Sequence, residues 1–269
     1  MQVAFASAPN PGRENEDFVA ASSNVVVVLD GAGLPDGLNT GCVHGVPWFV
    51  QQLGAELLSR AADRTMSLAD CLADAIERTA QLHGHGCDLS NPLTPTSTVA
   101  MVRAHDERVE WLALADSTVV INGRSGIQAV SDHRVNEVTS RQRFDLATTL
   151  HGMEPGAKAH ILANAQRAVM NTAGGYWVAA TEPKAASEAL VGSASLADVC
   201  SAALLTDGAA RAVDDFQVMT WRDALDHLEG EGPQGLINRT RALEVSDPDH
   251  ERWARNKRHD DATAALLRF

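Results

Sequence analysis

Aromatic residues make up only 4% of the 269-residue chain, with a single tyrosine, so there is little material for stacking bases and single-stranded nucleic acid is a poor candidate ligand. Positive charge is also scarce. Twenty-two Lys and Arg stand against 35 Asp and Glu, a formal net charge of −13, and no basic stripe interrupts the excess, which excludes recognition of a phosphate backbone. Long apolar runs are missing. The longest aliphatic stretch is Val25 to Leu29, far below the roughly 18 to 20 residues that cross a bilayer. The N-terminal residues MQVAFASAPNPGRENED lack the basic-then-apolar pattern of a signal peptide, so a soluble, cytoplasmic protein is expected. The four cysteines, Cys42, Cys71, Cys87 and Cys200, show no C-x-x-C spacing and read as ordinary thiols.

What is present is a 45% hydrophobic chain built on Ala, Val and Leu, with no repeat or linker, which reads as one domain over residues 1–269. Strands are expected at Val25–Leu29, Thr98–Arg103, Val109–Ala115 and Ser117–Ile121, the last reaching an Asn122-Gly123 hairpin turn, so that an antiparallel meander results. Further strands are expected at Tyr176–Thr181, Ala202–Thr206 and Thr263–Phe269. Apolar residues at helical spacing predict one helix through Val46, Phe49, Val50, Leu53 and Leu57 and another through Leu68, Leu72, Ala75, Ile76 and Thr79. Trp221–Leu228 and Gln234–Leu243 also read as helical, and Asn136–Val169 as partly helical, broken by Gly152, Pro155 and Gly156 and a candidate mobile insertion. Strands in runs and helices in pairs indicate an α+β fold.

The chemistry lies where apolar strands stop on aspartate: VVVVL-Asp30-Gly31, WLALA-Asp116-Ser117 and AALLT-Asp207-Gly208, with Asp260-Asp261 just before the closing strand. A carboxylate at the end of a buried strand loses hydration, and several together call for a cation. Asp-Gly alone marks turns, and Asp36-Gly37 reads as one. The recurring strand context, with the acidic pair Glu16-Asp17 near the start, sets the others apart. Oxygen donors without His or Cys suit Mg²⁺ or Mn²⁺, and two such ions can grip a phosphoryl group and activate water.

Arg13-Glu14-Asn15-Glu16-Asp17, Asp30-Gly31-Ala32-Gly33, Thr96-Ser97-Thr98, Ala115-Asp116-Ser117, Thr206-Asp207-Gly208 and Asp260-Asp261-Ala262-Thr263 resemble, in order, the motifs of PPM-type (2C-class) metal-dependent protein serine/threonine phosphatases. The resemblance implies a four-layer αββα sandwich of two antiparallel sheets flanked by helices, with two Mn²⁺ or Mg²⁺ ions at one end. It assigns Asp30 to bridge both ions, with Gly31 offering its carbonyl, and Asp207 and Asp260 to complete one of them. Glu16 and Asp17 match the pair that binds the second ion directly or through water, and Asp116 matches the ligand of a third. Asp261 stands where the family often has Asn. The phosphate-binding Arg of the family falls at Gly12, one residue before Arg13, which is assigned phosphate binding. Ala115 replaces a common Gly, and Thr118 stands where Arg often follows.

The implied activity is hydrolysis of phosphoserine and phosphothreonine in proteins by direct attack of an activated water, with Asp30, Asp207 and Arg13 as catalytic residues. The alternative is a catalytically weak, phosphoprotein-binding or regulatory member of the family; partner chains and oligomeric state stay open. His83-Gly84-His85-Gly86-Cys87, with no other His or Cys pair at ligand spacing, reads as a helix-ending loop rather than a soft-metal clip. Gly31-Ala32-Gly33 fails as a dinucleotide loop because position 36 is Asp, and neither a nucleophile elbow nor a catalytic-Cys signature occurs.

Overall fold

The computed structural model describes residues 1–35, 37–255 and 257–269, and Asp36 of the expected Asp36-Gly37 turn lies outside them. Its first three strands are β1 (Gln2–Ala8), β2 (Asp17–Ala21) and β3 (Val25–Asp30), followed by the helices α1 (Gly45–Arg60) and α2 (Leu68–Leu82). Two hairpins follow, β4 (Val99–His105) with β5 (Arg108–Leu114) and β6 (Thr118–Gly123) with β7 (Gly126–Val130). The helices α3 (Arg134–Leu150) and α4 (Pro155–Arg167) precede β8 (Leu190–Ser195) and β9 (Val199–Leu205). Then come α5 (Asp207–Asp214), α6 (Trp221–Ser246) and β10 (Ala262–Arg268).

The strands form two five-stranded antiparallel sheets, one in the order β2-β3-β4-β5-β8 and the other β1-β10-β9-β6-β7. Val26, Val28, Ala100, Val102 and Ala113 of the first face Val119, Ile121, Leu204, Ala265 and Leu267 of the second across the central core. On the opposite face of the first sheet, Val25, Val27 and Leu29 pack under Phe49, Leu53, Leu57, Leu72 and Ile76 of α1 and α2. Leu205, Ala264 and Leu266 of the second sheet pack under Ala209 and Ala210 of α5 and Leu225, Leu228 and Leu236 of α6. The result is the expected αββα sandwich. A strand covered on both faces has no reason to alternate, which is why Val25 to Leu29 is an unbroken apolar run.

Several expectations change. The chain does not continue as one meander after β5: it crosses at Ala115–Ser117 into the other sheet, so β4 and β6 belong to different layers. The crossing uses a left-handed backbone at Ala115 (φ +61°), a conformation that glycine adopts more readily. The β6–β7 turn is Arg124-Ser125, not Asn122-Gly123. Asn122 stays in the strand because its amide bonds Ser201 Oγ at 3.1 Å and accepts from Arg222 at 3.1 Å. Tyr176–Thr181 is not a strand; only isolated bridges at Tyr176 and Ala179 join it to its neighbours. The two helical segments expected near the C-terminus do form; they meet at Gly232, whose backbone is not helical (φ +76°), just before Pro233, and are labelled together as α6. The strands β1, β2, β7 and β8 were not expected from the sequence; their side chains are for the most part only partly buried or exposed.

Arg103 is 1% exposed, and its guanidinium pins the α1–α2 loop. It reaches Glu110 at 2.8 and 3.0 Å and the carbonyls of Asp63 at 2.9 Å and Met66 at 2.8 Å. Arg103→Met takes this donor from the Asp63 and Met66 carbonyls and leaves Glu110 with His105 alone, so urea unfolding should show a loss of about 3–5 kcal/mol. An unchanged midpoint would show that water replaces the guanidinium without cost.

Candidate metal centre

The acids predicted from strand ends converge because the two sheets end together. Asp17 and Asp30 are direct partners across β2 and β3. In the other sheet Leu205 pairs with both Thr118 and Ala264, which aligns Asp116, Asp207 and the Asp260-Asp261 pair at the same end. Asp207 lies in the first turn of α5, where the helix dipole favours a carboxylate. Gly208 is required there: a Cβ would collide with the Asp261 carbonyl.

Hydroxyl groups fix the backbone around these acids. Ser97 Oγ donates to the Asp30 carbonyl at 3.0 Å, and Thr98 Oγ1 accepts from the Asp30 N–H at 3.3 Å, so Thr96-Ser97-Thr98 serves to hold Asp30. Thr206 Oγ1 donates to Asp17 Oδ2 at 3.0 Å. Gly31 bonds Glu16 through its N–H at 3.0 Å, in a place where a side chain would meet Val46 and the Glu16 carbonyl. Asp261 acts on backbone. Its two oxygens accept the N–H groups of Asn10 at 2.6 Å and Glu16 at 2.9 Å, tying the segment that carries Arg13 and Glu16 to the start of β10. An asparagine could accept only one of those bonds with its oxygen.

The electrostatics are those of crowded, desolvated like charges. Burial, then Asp207, Asp17, Asp260 and Asp116, hold the Asp30 carboxyl well above its usual range. Burial likewise raises Asp17, assisted by Asp261 and Asp207. Asp116 is pushed up to about 7 by burial and by Asp207, and Glu16 is raised by burial and by Asp261. The cations nearby serve Asp260: Arg211 approaches it at 3.1 Å, and Lys257 pairs with its other oxygen. Neither described ion pair reaches Asp17 or Asp30. Asp17 Oδ1 is buried with no hydrogen-bond partner among the described residues. An orphaned carboxylate oxygen among other carboxylates, with no sulfur or imidazole in the cluster, fits a hard divalent cation.

Two clefts open on these acids. One of about 490 Å³ exposes Asp116, Asp207 and Asp260, and the other, of about 750 Å³, exposes Glu16, Asp260 and Asp261. Arg13 is on the rim of the second, exposed, following Gly12 in a turn (φ +84°), and its charge acts on Glu16.

Residues not singled out from the sequence join the site. Arg211, Asp214 and Asp215 lie on the same face of α5 as Asp207, at i+4, i+7 and i+8, a helical spacing that the sequence does contain. Asp214 is raised to about 6 by burial. Lys257 sits in a loop with no pattern to announce it. His133, just before α3, and Asn136 and Arg143, within it, also reach the smaller cleft. The segment 136–169 folds as the pair α3 and α4, with the Gly152-Pro155-Gly156 interruption marking the junction between them.

A family model described as protein phosphatase 2C matches residues 10–244. The catalytic domain of the serine/threonine protein phosphatase PstP, crystallised with two manganese ions, is 15% identical with a TM-score of 0.58, covering 99% of this chain and 97% of that one. Stp1 of Staphylococcus aureus is 15% identical (TM-score 0.58; 100% and 94% covered). The PPM phosphatase MsPP of Mycobacterium smegmatis, in complex with cacodylate, is 15% identical (TM-score 0.58; 100% and 98% covered). Such identities establish likeness of fold. No curated protein sequence matches the chain significantly.

Proposed function

Because the chain belongs to the protein phosphatase 2C family, the PPM-type phosphatases, we propose that it is an active, metal-dependent phosphatase acting on phosphoserine or phosphothreonine in proteins. The observation that carries this is the convergence of Asp17, Asp30, Asp116, Asp207 and Asp260 at one end of the sandwich, with Asp17 Oδ1 buried and unpartnered. Asp30 would lie between two Mn²⁺ or Mg²⁺ ions, with Asp207 and Asp260 completing one site, Glu16, Asp17 and the Gly31 carbonyl serving the other, and Asp116 a third. When bound, the ions supply Lewis acidity and a water acidic enough to ionise near neutral pH.

The chain's own residues do the rest. Asp261 fixes the Asn10–Glu16 segment through two backbone amides, so that Glu16 is presented to the cleft. Thr206 and Thr98 hold Asp17 and Asp30 in place without adding charge. Arg13, at the cleft rim, offers a guanidinium fork to two phosphate oxygens. No cysteine lines either cleft among the described residues, which supports direct attack of water on phosphorus over a covalent cysteinyl-phosphate.

The test is hydrolysis of p-nitrophenyl phosphate and of a phosphothreonine peptide, with Mn²⁺, with Mg²⁺ and with EDTA. Turnover with metal and none with EDTA is expected. Calorimetric Mn²⁺ binding without turnover would favour the regulatory reading, which the solvent-exposed position of Arg13 keeps in play. Arg13→Ala should raise KM for the phosphopeptide by about ten-fold with Mn²⁺ affinity unchanged; a wild-type KM would leave phosphate binding to the metals alone.

A further inference from the structure

Far from the acids in donor chemistry, four soft ligands meet at the open end of the α1–α2 hairpin. Cys42 and His44 come from the loop that leads into α1, where His44 is the residue before the helix and gives it no side-chain cap. His83 and Cys87 come from the segment that ends α2, with one short 3-10 turn at Gly84–Gly86 between them. The sequence presents these as two unrelated short pairs. The fold makes them one cluster, with one ligand atom from each residue lying within 4.8 Å of all the others. Here the expectation of a plain helix-ending loop and ordinary thiols changes, because the partner for His83 and Cys87 is the Cys42-Val43-His44 pair.

Four of the six separations among the ligand atoms match the edges of a coordination tetrahedron, and the other two lie within 4.8 Å. Bonds of about 2.3 Å to sulfur and 2.0–2.1 Å to nitrogen give tetrahedral edges of about 3.8 Å between sulfurs and about 3.5 Å between sulfur and nitrogen. Cys42 Sγ and Cys87 Sγ are 3.6 Å apart. Cys42 Sγ is 3.5 Å from His83 Nδ1 and 3.8 Å from His44 Nδ1, and Cys87 Sγ is 3.4 Å from His44 Nδ1. The sulfurs are too far apart to be bonded, since a disulfide needs about 2.05 Å.

Backbone donors face both sulfurs, while burial raises the Cys42 thiol. The Val43 N–H donates to Cys87 Sγ at 3.4 Å and the His44 N–H to Cys42 Sγ at 3.4 Å, one backbone donor for each sulfur. Trp48 orients both imidazoles, stacking on His44 at 4.0 Å and meeting His83 edge-on at 4.8 Å between ring centroids. The loop is anchored beside the cluster. The Asp88 N–H donates to the Gly41 carbonyl at 2.8 Å, and the Asn91 amide donates to the Asn39 carbonyl at 2.9 Å.

We propose that Cys42, His44, His83 and Cys87 form a structural zinc site that fastens the loop before α1 to the end of α2. Two thiolates and two imidazoles in a tetrahedron select Zn²⁺ over Mg²⁺ or Mn²⁺, so the site is separate from the carboxylate centre and does not depend on the phosphatase reading. Binding releases one proton from each thiol and leaves a neutral, four-coordinate ion with no open position for catalysis. The same loop carries Leu34, Pro35, Leu38 and Thr40, which wall the larger cleft, so the ion also steadies one side of the acid site.

The full chain, expressed with zinc in the medium and dialysed without chelator, should hold one zinc per chain by plasma mass spectrometry. Replacement by Co²⁺ should give the intense visible bands of a tetrahedral ion with thiolate charge transfer in the near ultraviolet. Asp30→Asn should keep the zinc, Cys200→Ser should change nothing, and Cys42→Ser with Cys87→Ser should lose both zinc and cobalt spectrum. Should that double variant fail to fold, the zinc content and cobalt spectrum of the unaltered chain still decide the matter. Zinc well below one per chain, a cobalt spectrum without thiolate bands, or a Cys42–Cys87 disulfide in the unreduced protein would each overturn the assignment.

Discussion

Asp30→Asn is expected to lower kcat/KM for Mn²⁺-supported phosphoester hydrolysis by about a thousand-fold while leaving the fold intact. Asp30 is where the charge of the site is concentrated: after burial, Asp207, Asp17, Asp260 and Asp116 all oppose its ionisation. Asparagine keeps the shape and the backbone contacts to Ser97 and Thr98 but removes the negative charge placed to face two cations. Titration calorimetry should show weaker Mn²⁺ binding and fewer sites. The metal-free variant should also melt higher than the unaltered protein, because one member of a like-charged cluster is gone. Unchanged Mn²⁺ affinity and stoichiometry would remove Asp30 from the centre.

The second large effect is on stability without metal. The carboxyls of Asp116 and Asp214 are raised to about 7 and about 6 in the folded chain, from an ordinary value of 3.8 when unfolded. A carboxyl raised in the folded state binds protons more tightly there, so its contribution is full below about pH 4 and is lost as pH rises through the folded values. EDTA-stripped protein should therefore melt higher at pH 6.5 than at pH 8, and Asp116→Asn should flatten that slope. His83, held low by burial and by His44, acts in the opposite direction only below about its ordinary 6.5, outside this window. Adding Mn²⁺ at pH 8 should raise the melting temperature strongly, since a ligand at a hundred-fold excess over its Kd adds about 2.7 kcal/mol to the folded state. Equal melting temperatures in EDTA and Mn²⁺ would mean that no ion neutralises the cluster.

The sequence by itself determined the secondary elements that have apolar runs or a clear helical stripe, since burial of Val25 to Leu29 on both faces and of one face of α2 is written directly in residue order. It also marked candidate acids, because an aspartate ending an apolar strand is a local pattern. That pattern names Asp30, Asp116 and Asp207 without knowing how the strands pair, whereas Asp17, which opens a strand, and Asp260, which precedes one, were named from acidic pairs and the family motifs. Only the tertiary structure decided the rest. Strands β1, β2, β7 and β8 are mostly only partly buried or exposed, so their place is fixed by pairing with neighbouring strands, and the crossing at Ala115–Ser117 is visible only in the order of the two sheets. The function of Asp261 as a clamp on two backbone amides needs residues 245 or more positions away in the chain. The Cys42, His44, His83 and Cys87 cluster was invisible for the same reason. Each half is an unremarkable short pair, and a tetrahedron exists only because the antiparallel packing of α1 on α2 brings the start of one helix beside the end of the other.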